Sequence, residues 1–262
     1  MNQIISAILI VGGTGLIFGA ILAFASFVFK VEEDERIELI TAELPGANCG
    51  ACGYAGCSAY ASAVVEGTAP VNSCSVGKSA IAEKIASIMG CNAEATEPMV
   101  AHVMCSGNCS SAKDKYEYRG IADCISANKL AGGAKSCPNG CLGLGSCVTV
   151  CQFDAIQIID GIAYIDEAKC VACGKCVQKC PKNIIKLIPQ KAKHIVNCSA
   201  HTTGAATIKN CSVGCIGCKL CEKNCPSNAI KVVDNLAVID YSLCSGCGIC
   251  AEKCPKKIIH TK

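Results

Sequence analysis

The chain has 262 residues and 26 cysteines, with no Trp, 4 His and only 11 Phe plus Tyr. Cysteine near one residue in ten suits a short secreted disulfide scaffold, not a chain of this length. So few aromatics cannot dominate a core, which excludes an ordinary globular enzyme with a large apolar interior. A formal charge of +3 argues against a basic nucleic-acid binder, whose affinity rests on neutralising many phosphates.

From Ile4 to Phe29 there are 26 residues without a charge. As a helix the run is about 39 Å long at roughly 1.5 Å per residue, more than the ~30 Å hydrocarbon layer needs. The competing reading is a cleaved signal peptide, with Ala23-Phe24-Ala25 as the cleavage site. Against it, Met1-Asn2-Gln3 supplies no basic start and the apolar run is too long. The expectation is a single-pass anchor in the cell membrane. Lys30 and Arg36 follow it and no basic residue precedes it, which puts the C-terminal bulk in the cytoplasm. That reducing compartment favours metal thiolates over disulfides. Gly15 and Gly19, with Gly12 and Gly13 nearby, have the spacing that lets another membrane helix approach.

Residues 31–43 read as a short acidic helix or linker, punctuated by Pro45-Gly46. Cys49-x-x-Cys52-x-x-x-x-Cys57 follows, then Cys74, with Gly50, Gly53 and Gly56 interleaved to let backbone amides approach sulfur. Four thiols of this kind make one self-contained 4Fe–4S site. Ser79 to Met89 has apolar residues at helical spacing, with Ser79 as N-cap and Gly90 as stop.

The remainder repeats with a period of 74 residues. Cys124, Cys137, Cys141, Cys147, Cys151, Cys170, Cys173, Cys176 and Cys180 recur as Cys198, Cys211, Cys215, Cys221, Cys225, Cys244, Cys247, Cys250 and Cys254. Ala163-Tyr164-Ile165-Asp166 returns as Ala237-Val238-Ile239-Asp240, and these apolar runs around turns read as β-hairpins. One correspondence is broken: Leu144 stands where the second copy has Cys218.

Cys170-x-x-Cys173-x-x-Cys176-x-x-x-Cys180-Pro181 is a bacterial ferredoxin run, as are the runs opening at Cys215 and Cys244. Three thiolates at two-residue gaps wrap one cubane, and the fourth Cys, before Pro, ligates the other cluster of the pair. The second copy thus offers Cys215, Cys218, Cys221 and Cys254 for one cluster, and Cys244, Cys247, Cys250 and Cys225 for its partner. The first copy offers Cys170, Cys173, Cys176 and Cys151. Its other cluster has Cys141, Cys147 and Cys180, with Cys137 as the nearest spare thiol to replace Leu144; a three-iron cluster, or none, is the alternative there. Zinc ribbons use two separated Cys pairs, so three uniform runs closed by Cys-Pro favour iron–sulfur. Five clusters account for twenty thiols, and Cys105, Cys109 and Cys124, completed by Cys198 or Cys211, would make a sixth. Cys91 reads as a plain buried thiol.

From Ala168 onward there are 15 Lys, no Arg and 4 Asp plus Glu. That excess offsets cluster charge and could serve as a docking surface for an acidic electron carrier. His102, His194, His201 and His260 are scattered, and no phosphate loop, dinucleotide fingerprint or catalytic triad is present, so neither NAD nor flavin is expected on this chain.

An apolar N-terminal helix, the Cys49–Cys74 module and then ferredoxin runs, in that order, resemble the electron-transfer B subunit of the Rnf complex, the ion-translocating ferredoxin:NAD oxidoreductase of bacteria. The likeness covers essentially the whole chain, and the doubled ferredoxin module resembles the longer clostridial-type form. It implies an α+β fold: one transmembrane helix (1–30), a linker and small 4Fe–4S domain (31–100), and two ferredoxin-like modules (101–190 and 191–262). It also implies one component of a translocase, without a complete active site of its own. Electrons would come from soluble ferredoxin and pass to other Rnf subunits in the membrane. Alternatives are a polyferredoxin component of a hydrogenase or heterodisulfide reductase, and a corrinoid-activating iron–sulfur protein.

Overall fold

A computed structural model of the chain describes residues 2–28, 34–94 and 97–262, with the side chains of residues 2–10 and 26–28 outside the description. Helix α1 (Asn2–Val28) covers most of the charge-free run. Phe29 and Lys30, the end of the expected anchor and one of its orienting charges, lie outside the described residues. Over 11–25 the apolar side chains stand unpacked: Leu16, Ile17, Phe18, Ile21, Leu22 and Phe24 are all exposed. Among the described residues no helix is long and apolar enough to cross a membrane; the described side chains of α1 span only 11–25.

Helix α2 (Glu35–Glu43) begins at Asp34, whose carboxylate accepts from the Arg36 backbone N–H. It packs with α3 (Cys57–Val65) and α4 (Lys78–Met89) around Ile40, Tyr60, Val64 and Ile85. Each such side chain contributes about 1.5–3 kcal/mol by leaving water. Tyr60 also donates its hydroxyl to the Pro70 carbonyl at 2.8 Å, which pins the loop leading to Cys74. Gly90 ends α4 in the left-handed conformation, as the sequence suggests. The start differs: Gly77 is the cap, and Ser79 lies inside the first turn without capping it.

The rest holds two copies of one pattern. Strand β1 (Met99–Val103) pairs antiparallel with β4 (Ile185–Pro189), with Ala101 opposite Leu187. Between them lie α5 (Cys124–Lys129), the hairpin β2–β3 (Ile156–Ile159, Ile162–Ile165) and α6 (Lys175–Lys179). In the second copy β5 (His194–Val196) pairs with β8 (Ile259–Thr261), enclosing α7 (Gly204–Asn210), α8 (Leu220–Lys223), the hairpin β6–β7 (Ile230–Val233, Leu236–Ile239) and α9 (Ile249–Glu252). Asp160-Gly161 and Asp234-Asn235 turn the two hairpins with φ positive at both residues, the geometry that matches strand twist. Gly143 and its repeat counterpart Gly217 press against these turns; a Cβ on Gly143 would lie 2.5 Å from the Gly161 carbonyl oxygen.

Each module has a small Ile-rich core in which thiols are part of the packing. Cys141, Cys147 and Cys176 are buried with Ile156, Ile165, Ile184 and Ile185; Cys215, Cys221 and Cys250 are buried with Ile230, Ile239, Ile258 and Ile259. Cores this thin fold together with whatever the thiols hold.

Candidate metal centres

The first thiol set is built by the loop entering α3. Asn48 caps that helix, its side-chain oxygen accepting from the Cys57 N–H at 2.8 Å. Gly50 and Gly53 take positive φ to wrap the loop. Cys52, Cys57 and Cys74 pack on the α2–α3–α4 core. Burial raises the Cys74 thiol, and Cys49 and Cys57 stand close enough to raise it further.

The second set gathers Cys151, Cys170, Cys173 and Cys176. Burial pushes the Cys176 thiol up to about 12, and the other three add to it. The Ala101 amide donates to the Cys170 sulfur at 3.4 Å. Cys173 also feels Cys49 of the N-terminal set.

In the second copy Cys215, Cys218, Cys221 and Cys254 border one pocket, and Cys225, Cys244, Cys247 and Cys250 another. These are the quartets expected from the run spacing. Burial raises Cys221 to about 11, and Cys215, Cys218 and Cys254 raise it further. Beside Cys225 the hydroxyl of Ser227 and the amides of Ala229 and Ile230 outweigh burial and lower the thiol.

The thiols of the run interrupted by Leu144 depart from expectation. They border one pocket. Cys141, Cys147 and Cys180 border it with Cys124, and Cys137 is absent from its lining. Asp123 caps α5 by accepting from the Ser126 N–H, and its other oxygen accepts from the Ser146 hydroxyl. Ser146, buried to 3% exposure, accepts from the Cys124 N–H at 2.7 Å. The start of α5 is thereby pinned to the ferredoxin loop. Burial takes the Cys147 thiol up to about 12, with Cys141 and Cys124 as the next contributors.

Cys137 lies instead in a pocket with Cys105, Cys198 and Cys211, apart from Cys124, which lines another, so the expected grouping of Cys105 with Cys109 and Cys124 does not form. Cys109 is exposed and borders the hairpin turn at Gly161; Cys91, expected to be buried, is exposed. The pocket sits where the modules join: Ala112 bridges Cys211, and Ser106 N–H donates to the Asn197 carbonyl at 3.1 Å. Lys182 donates to the Pro138 carbonyl at 2.8 Å, and its repeat counterpart Lys256 to Ser212 at 3.0 Å, fixing the residues after Cys137 and Cys211. Cys105 sulfur accepts from the amides of Gly107 (3.4 Å) and Cys141 (3.5 Å). Cys198 sulfur accepts from Ala200 (3.5 Å) and Cys215 (3.3 Å). Cys141 and Cys215 open the equivalent loops of the two copies, so each module lends the same amide to this pocket.

Four thiols with sulfur-directed amides are the donor set of a 4Fe–4S cubane. Burial holds many of these thiols above the ordinary range, so a cationic core bound among them would be what ionises them. Among the described residues no three or more His, Cys, Asp or Glu side chains converge as on a single ion; the thiols border pockets.

The Fe-S cluster family model matches residues 44–76, the 4Fe-4S binding domain 163–186 and the 4Fe-4S dicluster domain 214–258. The loop containing Leu144 lies outside all three matches. The chain is 46% identical over 245 residues to the B subunit of the Na(+)-translocating ferredoxin:NAD(+) oxidoreductase complex of Acetobacterium woodii, across 93% of this chain and 74% of that one. It is 46% identical to the B subunit of the proton-translocating ferredoxin:NAD(+) oxidoreductase complex of Clostridium ljungdahlii, across 93% and 87%. It is 41% identical to the B subunit of the ion-translocating oxidoreductase complex of Methanosarcina acetivorans, across 93% and 92%. Likeness at this level over nearly the whole chain means that it belongs to the B-subunit family of ion-translocating ferredoxin:NAD(+) oxidoreductase (Rnf) complexes.

Proposed function

We propose that this chain is the electron-relay subunit of a membrane-bound Rnf complex, taking electrons from reduced ferredoxin and handing them to redox subunits in the membrane. The observation that carries this reading is the pocket of Cys105, Cys137, Cys198 and Cys211 at the junction of the two modules. Filled by a 4Fe–4S cluster, it makes six clusters and joins two otherwise separate pairs. The other ligand sets are Cys49, Cys52, Cys57 and Cys74; Cys151, Cys170, Cys173 and Cys176; Cys124, Cys141, Cys147 and Cys180; Cys215, Cys218, Cys221 and Cys254; and Cys225, Cys244, Cys247 and Cys250. Cys91 and Cys109 remain free.

The amides of Cys141 and Cys215 on the sulfurs of Cys105 and Cys198 support a continuous path from one module to the other. The influence of Cys49 on Cys173 supports its extension to the N-terminal set. Each transfer moves one electron with no bond made and no proton needed. The charge-free run from Ile4 to Phe29 and the exposed apolar side chains of α1 support a single membrane span at 1–30. Arg36 and Lys30 beyond it support a cytoplasmic bulk, where the Lys-rich second module can meet an acidic ferredoxin.

Two measurements on the detergent-solubilised full-length chain, purified anaerobically, test this. Reduced ferredoxin should reduce it within a rapid-mixing experiment and NADH should not; fast direct reduction by NADH overturns the relay. Iron and acid-labile sulfide should each approach about 24 per chain, six cubanes of four. A value of about 20 leaves one of the six sites empty and overturns the six-cluster count, and zinc in place of iron overturns the proposal.

A further inference from the structure

Lys135 is buried to 7% exposure, and among the described residues the other buried polar side chains are Ser146, His194 and Thr207, of which only His194 can carry charge. Its Nζ donates to the Gly107 carbonyl at 2.5 Å and reaches the Gly161 carbonyl at 3.4 Å. None of the ion pairs found among the described residues includes it; the five lie at Arg36, Lys84, Arg119, Lys191 and Lys262. A buried ammonium without a carboxylate is costly unless another negative charge compensates it. Two backbone carbonyls supply dipoles, not a charge.

The compensating charge lies on both sides. The Lys135 side chain runs between the two thiol pockets, held at the Gly107 carbonyl that lines the junction pocket and lying next to the start of the loop that carries Cys141 into the other. Its stem packs by Gly140, immediately before Cys141. The carbonyl it holds belongs to Gly107, whose amide donates to the Cys105 sulfur. The repeat counterpart, Lys209, lies in the last turn of α7 and is exposed, so the second module has no equivalent.

We propose that Lys135 is the built-in counter-charge shared by the junction cluster and the Cys141 cluster, and that it raises the reduction potential of both. The inference rests on the six-cluster assignment above. A fixed positive charge beside a cluster stabilises the added electron, and net charge is among the main determinants of cluster potential. In a dry site the effect persists where an exposed lysine's would be screened. Lys135 is a positioning residue in this sense: it accepts no electron, and it biases where along the row an electron rests.

The test is an EPR-monitored redox titration of the anaerobic full-length chain, with iron and sulfide measured on the same samples. Lys135→Met, Lys135→Gln and the control Lys209→Met are compared with wild type. With full iron, both Lys135 variants should move two couples to lower potential, each by tenfold or more in its one-electron equilibrium, about 59 mV. Lys209→Met should move none. Fewer than two moved couples in the Lys135 variants overturn the shared counter-charge, as does an equal shift in Lys209→Met. Loss of about four iron in both Lys135 variants also overturns it, since the residue would then be structural. The six-cluster assignment fails separately, through a wild-type iron content of about 20, whatever the Lys135 variants do to the couples that remain.

Discussion

Cys137 and Cys211 occupy equivalent positions of the two repeats, 74 residues apart, and border one shared pocket. A duplication that set two copies of one pattern end to end thereby supplied two of the four thiols of a pocket that neither copy has alone. The other half breaks the symmetry: Cys198 joins this pocket, while its counterpart Cys124 turns to the pocket of Cys141, Cys147 and Cys180.

That division predicts separable losses. Cys124→Ser and Cys137→Ser should each cost about four iron per chain, and the double variant about eight, because the two thiols serve different cubanes. Cys109→Ser and Cys91→Ser should cost none. A double variant that loses no more iron than either single one would place both thiols on one cluster and end the assignment.

Leu144→Cys should rescue Cys124→Ser. The substitution restores the thiol that the second copy carries at Cys218, in a loop whose flanking Cys141 and Cys147 are already in place. Iron content returning to the wild-type level, with the EPR signal lost in Cys124→Ser restored, is the expected result. A double variant as iron-poor as the single one would mean that the loop cannot present a ligand there.

That the thiols of the intact runs border shared pockets was legible because their spacing is local: three thiols fall within seven residues, and the Cys-Pro thiol turns to the neighbouring pocket. The hairpins were legible from apolar alternation around short turns. The partners of Leu144 were not, since proximity in sequence favoured Cys137, seven residues upstream, over Cys124, twenty upstream. The deciding contact is Ser146 on the Cys124 amide, and the one local hint was that Ser146 replaces Leu220 of the second copy. Lys135 and Lys209 are indistinguishable in sequence; only the fold buries one and exposes the other.

Gly143→Ala should destabilise the first module more than Gly53→Ala destabilises the N-terminal domain. Both glycines have positive φ, +70° and +89°, which costs an L-residue about 1 kcal/mol. At Gly53 nothing lies within 4 Å of an added Cβ, whereas at Gly143 it would meet the Gly161 backbone. The expected penalty at Gly143 is about 3 kcal/mol, within the range for a strained backbone position. Thermal melts followed by cluster absorbance measure the difference, and equal melting temperatures for the two variants would show that the hairpin turn yields to the loop.

The joint between modules should weaken in acid through His102. Its Nε2 lies 2.8 Å from the Asn197 side-chain oxygen, linking β1 to the residue after β5. Burial lowers the imidazole below its usual value; the Asn197 bond and Glu167 pull the other way, and Lys262 and His260 reinforce the lowering. The folded state therefore binds fewer protons than the unfolded chain below the unperturbed value of about 6.5, so stability rises with pH in that window. The contribution is fully present above about 6.5 and is lost as pH falls through the depressed folded value. His102→Gln removes the titration and should keep an uncharged donor toward Asn197. Between pH 7.5 and 5.5 the wild type should lose more melting temperature than this variant, with cluster loss at low pH common to both. Parallel slopes for the two proteins would show that His102 stays neutral, or is equally protonated, in both states.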